Sequence, residues 1–445
     1  KLQMRSGERM GRQKQFQRAD VLHGICDDSP VSLESIQFHG VRNTKTDALL
    51  KEVAELYKSS TVGELIKNSH LAARHLQEVG LMESAAALID TAPAPNGYVV
   101  NFVVREPKPF TLGAKVGMST QGDADMSIHA ARQSLNGRGE VADAAYTYTV
   151  KGDHSFNMSL AKPLLGWQRY AGFAGVLSRS FAYLPWNKSN LEENAFVVAY
   201  HNHMFDRRVR QQLRFNTIWR TLLATKDSAF PVREHAGHTL KVSAEHEYSF
   251  DSRDRPILAT QGLLARVSQE LAGAFGIGDA AFVRHQIDLQ AAAPLFAKFF
   301  LSASLQARRI ESMGEKELHV LDRVYLGGQG DIRGFALNSI GHRQDGSCLG
   351  GGSSLAAAVH LYRPLWPADS LYAHAFLASG SVCSIRSRNL LRDMSQSQRV
   401  SAGLGLTFVF KNIFRLEMNY VHALKSAAGD SFSRGFHVGA GVNFL

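Results

Sequence analysis

The sequence predicts a mainly β protein: a small β-α-α-β-β domain, then sixteen antiparallel strands forming a transmembrane barrel. Three observations lead there. From about Phe110 onward apolar and polar residues alternate, the two-residue period of a strand whose faces meet different surroundings. Many alternating stretches run to about 10–13 residues, longer than the ~5–6 of ordinary strands and enough for the ~9–11 tilted residues that cross a bilayer. The polar faces are often fully charged, as with Arg210, Arg214 and Arg220 opposite Val209, Leu213, Phe215 and Trp219. A wet lumen tolerates such charges better than the core of a soluble sandwich does.

Composition fits this reading and narrows the function classes. The 445 residues are 44% hydrophobic and 20% charged, enough for a core and well short of disorder. Mean hydropathy is −0.16, which looks soluble on average, but alternating strands hide their apolar face in such a mean. No stretch of about 18 uncharged apolar residues exists, so a transmembrane helix is not expected. The most apolar run, Ala291 to Leu305, is broken by Pro294 and Lys298. The chain opens on Lys1 with no apolar signal core, and no secretory leader is expected. Cys26, Cys348 and Cys383 fit neither a disulfide framework nor a zinc site and read as unpaired thiols in a reducing or thiol-tolerant setting. The net charge of +10 is spread through strand-like segments rather than a helical patch, which argues against nucleic acid. Enzyme chemistry has no foothold: there is no phosphate loop before a helix, no metal-ligand spacing and no nucleophile elbow. His201 and His203 merely alternate along a strand. No catalytic residue, cofactor or metal is expected.

Residues 1–30 read as a flexible basic leader and residues 31–106 as the small domain. Val31–Phe38 suggests a strand with a turn at Gly40. A helix with Thr44 as its N-cap places Leu49, Leu50, Val53 and Leu56 on one face. A second helix carries Val62, Leu65, Ile66, Leu71, Ala72, Leu76 and Val79 and stops at Gly80. Strands Ser84–Ile89 and Tyr98–Arg105 flank the turn from Pro93 to Gly97. Glu106-Pro-Lys-Pro109 forms a stiff boundary, since each proline restricts itself and its predecessor.

Residues 110–445 read as the barrel. Strands are expected at about 110–119, 124–134, 139–150, 153–162, 169–180, 192–205, 208–222, 237–250, 258–271, 281–293, 297–309, 353–364, 371–382, 398–410, 413–424 and 434–445. The longest connection, 310–352, reads as functional or disordered. Inward arginines (Arg210, Arg214, Arg220, Arg266, Arg284, Arg308) suggest a cation-rich lumen, either plainly water-facing or attractive to passing chains. Glycines concentrate in the first strand (Gly113, Gly117) and the last (Gly435, Gly439, Gly441). They either weaken a seam or relieve crowding at a closure.

Several motifs in order carry a family resemblance. Leu326-Gly-Gly-Gln-Gly-Asp-Ile332-Arg333-Gly334-Phe335, in the longest loop, resembles the (V/I)-R-G-(F/Y) motif of the BamA-like superfamily of barrel assembly and secretion proteins. Asp251-Ser-Arg253-Asp254, with Gly262, is similar to that superfamily's D-x-R-D turn, and the small domain looks like a single POTRA domain. Leu349-Gly-Gly351 and Val359-His-Leu-Tyr-Arg-Pro364 look most like the mitochondrial branch. His437, Gly439, Val442 and Phe444 fit the β-signal of mitochondrial barrels. Residues 31 to 445 together resemble the core barrel subunits of the mitochondrial sorting and assembly machinery.

The resemblance implies an insertase in the mitochondrial outer membrane that folds β-barrel precursors through a lateral gate. The gate would lie between Phe110, Thr111, Leu112 and Gly113 and the last-strand residues Gly435, His437, Gly439 and Gly441. Implied partners are precursor barrels, accessory subunits, membrane lipids and an inner-membrane organising (MICOS) complex. A secretion or diffusion pore is the alternative. The resemblance also implies that Arg333 folds into the lumen and ties the loop to the wall. The family's acidic or amide anchor for it is Ala378 here, in Phe376-Leu-Ala378-Ser379-Gly380, and its paired glycines are Ala357-Ala358. Arg333 therefore needs another acceptor. A carbonyl, Ser379 or Glu417 is available, and strand parity offers Glu270, Asp288 or Glu417.

Overall fold

A computed structural model describes residues 28–445, save 119–123, 206, 315, 367–369, 386, 388, 411–413, 428, 433–434 and 442–445. Most of the leader expected over 1–30, Cys26, and Val442 and Phe444 of the terminal pattern lie outside the described residues. The chain divides into two compact units: Lys1–Thr111 with Ala131–Ala142 and Ala161–Gly172, and the remainder.

In the first unit, β1 (Ser32–His39), α1 (Thr46–Val53), α2 (Val62–Glu78), β2 (Ser84–Thr91) and β3 (Gly97–Arg105) follow in order. The three strands form a sheet in the order β1-β3-β2, β1 parallel and β2 antiparallel to β3. Leu49, Val53, Leu56, Leu65, Ala72 and Leu76 bury the helices' shared face against Val100, Phe102 and Val104. Leu50, expected on that face, is exposed. α2 starts where Thr61 accepts from the Glu64 N–H while Glu64 reaches back to the Ser60 N–H, a reciprocal cap. The cap of α1 differs from expectation: its N-cap is Lys45, without a side-chain hydrogen bond, rather than Thr44. The Glu106 carboxylate accepts from the N–H groups of Arg42, Asn43 and Thr44 at 2.7–3.1 Å. A residue far along the chain thus fixes the segment that leads into the helix.

Two connections between later strands belong to this unit for physical reasons. Leu165 and Trp167 pack against its core. Glu52, fully buried on α1, accepts from the Gly166 N–H at 2.7 Å and pairs with buried His75 of α2 at 2.8 Å. Tyr170 donates to Glu78 at 2.6 Å, and Arg138 pairs with Asp47 at 3.0 Å.

The sixteen-stranded sheet runs β4 (Phe110–Met118), β5 (Ala124–Gln133), β6 (Val141–Thr149), β7 (His154–Leu164), β8 (Tyr170–Leu184), β9 (Ser189–Met204), β10 (Val209–Ala224), β11 (Gly237–Asp251), β12 (Gly262–Ala272), β13 (Phe282–Pro294), β14 (Phe300–Ser312), β17 (Ser353–Pro364), β18 (Leu371–Cys383), β19 (Arg399–Phe410), β20 (Phe414–Lys425) and β21 (Gly435–Gly441), each beside the next. Sixteen strands were expected, and the registers from β9 to β21 are antiparallel throughout. α3 (Phe230–Glu234) and α4 (Leu390–Gln396) lie in connections; β15 (Arg343–Gln344) and β16 (Ser347–Cys348) form a small hairpin inside the long loop.

The alternation is physical as well as sequential. On β17, Ser354, Ala356, Ala358, His360 and Tyr362 are buried while Val359 and Leu361 are exposed. On β20, Arg415, Glu417, Asn419 and Val421 are buried while Met418 and Tyr420 are exposed. An exterior of leucine, phenylalanine and tyrosine around a polar interior is the pattern for strands solvated by lipid.

The inner arginines differ from a free cationic lining. Arg214 pairs with Glu245 at 2.6 Å, Arg284 with Glu270 at 2.9 Å and Arg220 with Asp322 at 2.6 Å. Arg210 bonds Gln212, Arg266 lies 3.7 Å from Glu247, and Arg308 reaches the Tyr325 carbonyl at 3.5 Å. Same-face carboxylates on neighbouring strands, and Asp322 of the long loop, sit opposite most of these cations, so most of their charge is met within the protein.

Candidate functional site

The long connection, 313–352, crosses the inner face of the sheet. At one side Asp322 takes a two-pronged contact from Arg220 of β10, at 2.6 and 3.0 Å, while its carbonyl accepts from Arg284 of β13 at 2.7 Å. Burial alone would raise the pKa of Asp322, but the Arg220 fork outweighs it and holds the carboxylate low. Beside it, burial, with Arg220 adding to it, pushes His319 down to about 4. The Leu321 N–H donates to His319 Nδ1 at 3.2 Å. Nε2 then carries the proton and donates to the His235 carbonyl, 3.0 Å away.

At the other side the loop meets β18 and β20. Arg333 is fully buried, with Nε 3.0 Å from Glu417 Oε2 and Nη2 3.4 Å from Oε1. Its guanidinium lies 5.1 Å above the Phe376 ring. Arg415 also pairs with Glu417 and donates to the Tyr362 hydroxyl at 2.5 Å, so two buried arginines share one carboxylate. Asn419 donates to Glu417 Oε2 at 2.9 Å. The other parity candidates are engaged elsewhere: Glu270 holds Lys241 and Arg284, and Asp288 accepts from Gln286 and Gln306.

Small residues make the room. A Cβ on Gly380 would lie 2.2 Å from Ile332 Cδ1, so the glycine is required by the loop's approach. Ala356, Ala358 and Ala378 face the same cluster around Leu326, Ile332 and Phe335. Gly334 has φ +92°, and a Cβ there would meet Phe432 at 2.5 Å and Val421 at 2.8 Å. That turn sends Phe335 edge-on against Phe432.

The Asp251–Arg253–Asp254 turn does more than reverse the chain. Arg253 forks onto Asp251 and reaches Gln290 at 2.8 Å, while Asp254 accepts from Thr260 and Gln261. This stiff turn directs Ile257 and Leu258 onto Phe300, Tyr362, Tyr372 and Val409, and Arg255 donates to the Tyr372 hydroxyl at 3.3 Å. The inner face is therefore covered by the 313–352 loop near one end and by the 252–261 turn near the other. Tyr362 touches both arrangements, through Leu258's cluster and through Arg415. Sequence reasoning did not find Arg415, Tyr362, Asp322 or the Ile257-Leu258 pair. Inward parity on β20 and β17 was the available signal for the first two.

The expected gate residues lie on β4 and β21, the end strands of the sheet order. Phe110 and Leu112 are 60% and 70% exposed, Thr111 is half-buried, and the His129 ring lies over Gly113. On β21, Gly435 pairs with Val421, His437 with Asn419, Gly439 with Glu417 and Gly441 with Arg415. The last two rungs join the end strand to Glu417, which holds Arg333, and to Arg415, which shares that carboxylate. Among the described residues no cluster of metal-ligand side chains occurs.

The model of the Omp85 superfamily domain matches residues 135–444. The chain belongs to the Omp85 superfamily. It is 32% identical to the sorting and assembly machinery component 50 homolog of Xenopus tropicalis, over 95% of this chain and 92% of that protein. The Homo sapiens homolog is 30% identical over the same shares. Among solved structures, BamA from Haemophilus ducreyi lacking POTRA domains 1–3 superposes with a TM-score of 0.76 at 16% identity, over 92% of this chain and 84% of that one. CdiB from Acinetobacter baumannii gives 0.55 at 14% identity, over 92% and 73%. In this Omp85 chain the loop arginine is anchored on β20 rather than where the sequence resemblance implied. Ala378 on β18 supplies no acceptor, and Glu417 on β20 supplies it instead.

Proposed function

We propose that this chain is the core insertase of a mitochondrial outer-membrane assembly machinery, which folds β-barrel precursors and releases them laterally between β4 and β21. The observation that carries this reading is the Arg333–Glu417–Arg415 cluster, tied through Gly439 and Gly441 to the end strand. A loop locked to the strand beside the seam can hold that strand in place while its neighbour exchanges. Exchange itself is cheap in lipid, because one set of backbone hydrogen bonds replaces another and no amide is left unpaired. Homology to sorting and assembly machinery proteins over nearly the whole chain supports the assembly role and, with it, precursors and accessory subunits as partners. The three-stranded sheet of residues 31–106 leaves edges on β1 and β2 that suit strand addition by a client. The pore reading needs an open lumen, and both coverings of the inner face weigh against it.

Disulfide locking tests the gate. One cysteine goes into 110–118 and one into 435–441, each pair chosen from the positions that crosslink. The oxidised pair should stop precursor insertion in a reconstituted membrane and reduction should restore it. Normal insertion by the locked protein would move the route to the lumen or the lipid surface.

A further inference from the structure

We propose that the rim joining β13, β14, β17 and β18 is a binding site for the phosphate headgroup of an anionic phospholipid, made by Lys298 and Arg363 and flanked by Phe296, Phe299 and Trp366. The proposal rests on the sheet's being embedded in a bilayer and goes beyond the insertase reading.

The outer column of β17 runs Val359, Leu361, Arg363, so Arg363 continues an exposed apolar face by strict parity. The outer columns beside it are Leu301 and Leu305 on β14 and Ile287 and Leu289 on β13. A guanidinium at the foot of a lipid-facing column is expensive unless it meets an anion at the headgroup level. Arg363 has no acidic partner among the described residues; its contact is the Phe299 ring, 5.3 Å from the guanidinium carbon. Two other outward cations of this sheet are neutralised: Arg309 pairs with Glu311 and Arg179 with Glu192, both at 2.5 Å.

The adjoining turn adds a second cation and a support. Leu295–Phe299 links β13 to β14, and both Ala297 and Lys298 take positive φ, at +53° and +64°. L residues adopt that conformation rarely, so the turn holds Ala297 and Lys298 in a costly backbone shape. Lys298 is exposed and has no ion pair among the described residues. Phe296 is 82% exposed and Trp366 90% exposed, which suits interfacial rings in a membrane far better than rings in water. Aromatic anchors around two cations without an acidic partner among the described residues meet a lipid phosphate, with acyl chains lying along Leu361 and Leu301.

The test uses the full chain reconstituted in phosphatidylcholine vesicles containing a minority of phosphatidylglycerol. Bromine is placed on the acyl chains of one lipid or the other at equal mole fraction. The Trp366 signal is the difference between the wild type and Trp366→Phe, which removes one of the chain's four tryptophans. Brominated phosphatidylglycerol should quench that signal several-fold more than brominated phosphatidylcholine. In the Lys298→Gln/Arg363→Gln variant the two should quench equally. Equal quenching in the wild type, or a preference that survives in the double variant, overturns the headgroup site while leaving the embedding intact. Quenching by neither lipid places Trp366 outside the bilayer and overturns the site and its membrane setting together. A preference abolished by inorganic phosphate marks a free-anion site and overturns the lipid assignment. None of these outcomes touches precursor insertion, which is read separately.

Discussion

Glu417 carries two guanidinium groups while fully buried, and that asymmetry ranks its variants. Arg333→Ala leaves Arg415 to pair with the carboxylate, whereas Glu417→Ala leaves two buried cations without their shared anion. Breaking a buried pair costs about 3–5 kcal/mol, so Glu417→Ala should lower thermal unfolding of the barrel more than Arg333→Ala. Heat-dependent mobility in detergent gels measures this, and an equal or reversed ranking would contradict the shared-anion picture. Ala378→Asp should partly restore Glu417→Ala, because the carboxylate would face the same buried cluster; failure to rescue would show that Arg333 cannot turn to β18. Only part of this was legible. The motif Ile332-Arg333-Gly334-Phe335 stands out in the sequence, but Glu417 was one of three acids with suitable parity. Register and loop path decide among them, and neither is written in a strand's alternation. The folded pKa of His319 is near 4, below its ordinary 6.5, so its neutral form stabilises the loop. That contribution is complete above pH 6.5 and is lost as the pH falls from 6.5 toward 4, since the unfolded loop takes up the proton first. Hydrogen exchange at 318–325 should accelerate across that window, and His319→Asn should flatten the dependence.

Strands proved more readable than caps and turns. A strand's period is set by its two solvents, so sixteen of them could be counted from alternation. The start of α1 could not be, because its N-cap, Lys45, makes no side-chain hydrogen bond and the segment before it is held by Glu106, just past β3. The same limit hid the 252–261 turn, where the Asp251–Arg253–Asp254 pattern is visible but the landing place of Ile257 and Leu258 is set by the curvature of the wall. Those two side chains seal one stretch of the inner face by apolar packing alone. Changing both to serine should raise ion conductance of the reconstituted protein in planar bilayers, with little change in strand content by circular dichroism. Unchanged conductance would mean that the 313–352 loop closes the lumen unaided. Within the first unit, Glu52→Ala would strand the Gly166 N–H and remove the partner of buried His75. A loss of about 2–4 kcal/mol is expected, read as earlier protease cleavage within 31–106.

Taken whole, the molecule spends most of its inner charge on itself. The arginines expected to attract clients are met by Glu245, Glu247, Glu270 and Asp322, which leaves little long-range pull on a precursor. Raising salt should therefore alter precursor insertion only weakly, and a steep decline would restore the electrostatic reading. The anchoring acid also sits on β20, the penultimate strand, while the arginine it receives comes from a loop made some eighty residues earlier in the chain. When this protein is itself synthesised and inserted, Arg333 has no home until nearly every strand is laid down. The loop thus acts as a check on the chain's own completeness: a product truncated before β20 keeps an unmatched cation in its interior, and would present itself to quality control as unfinished.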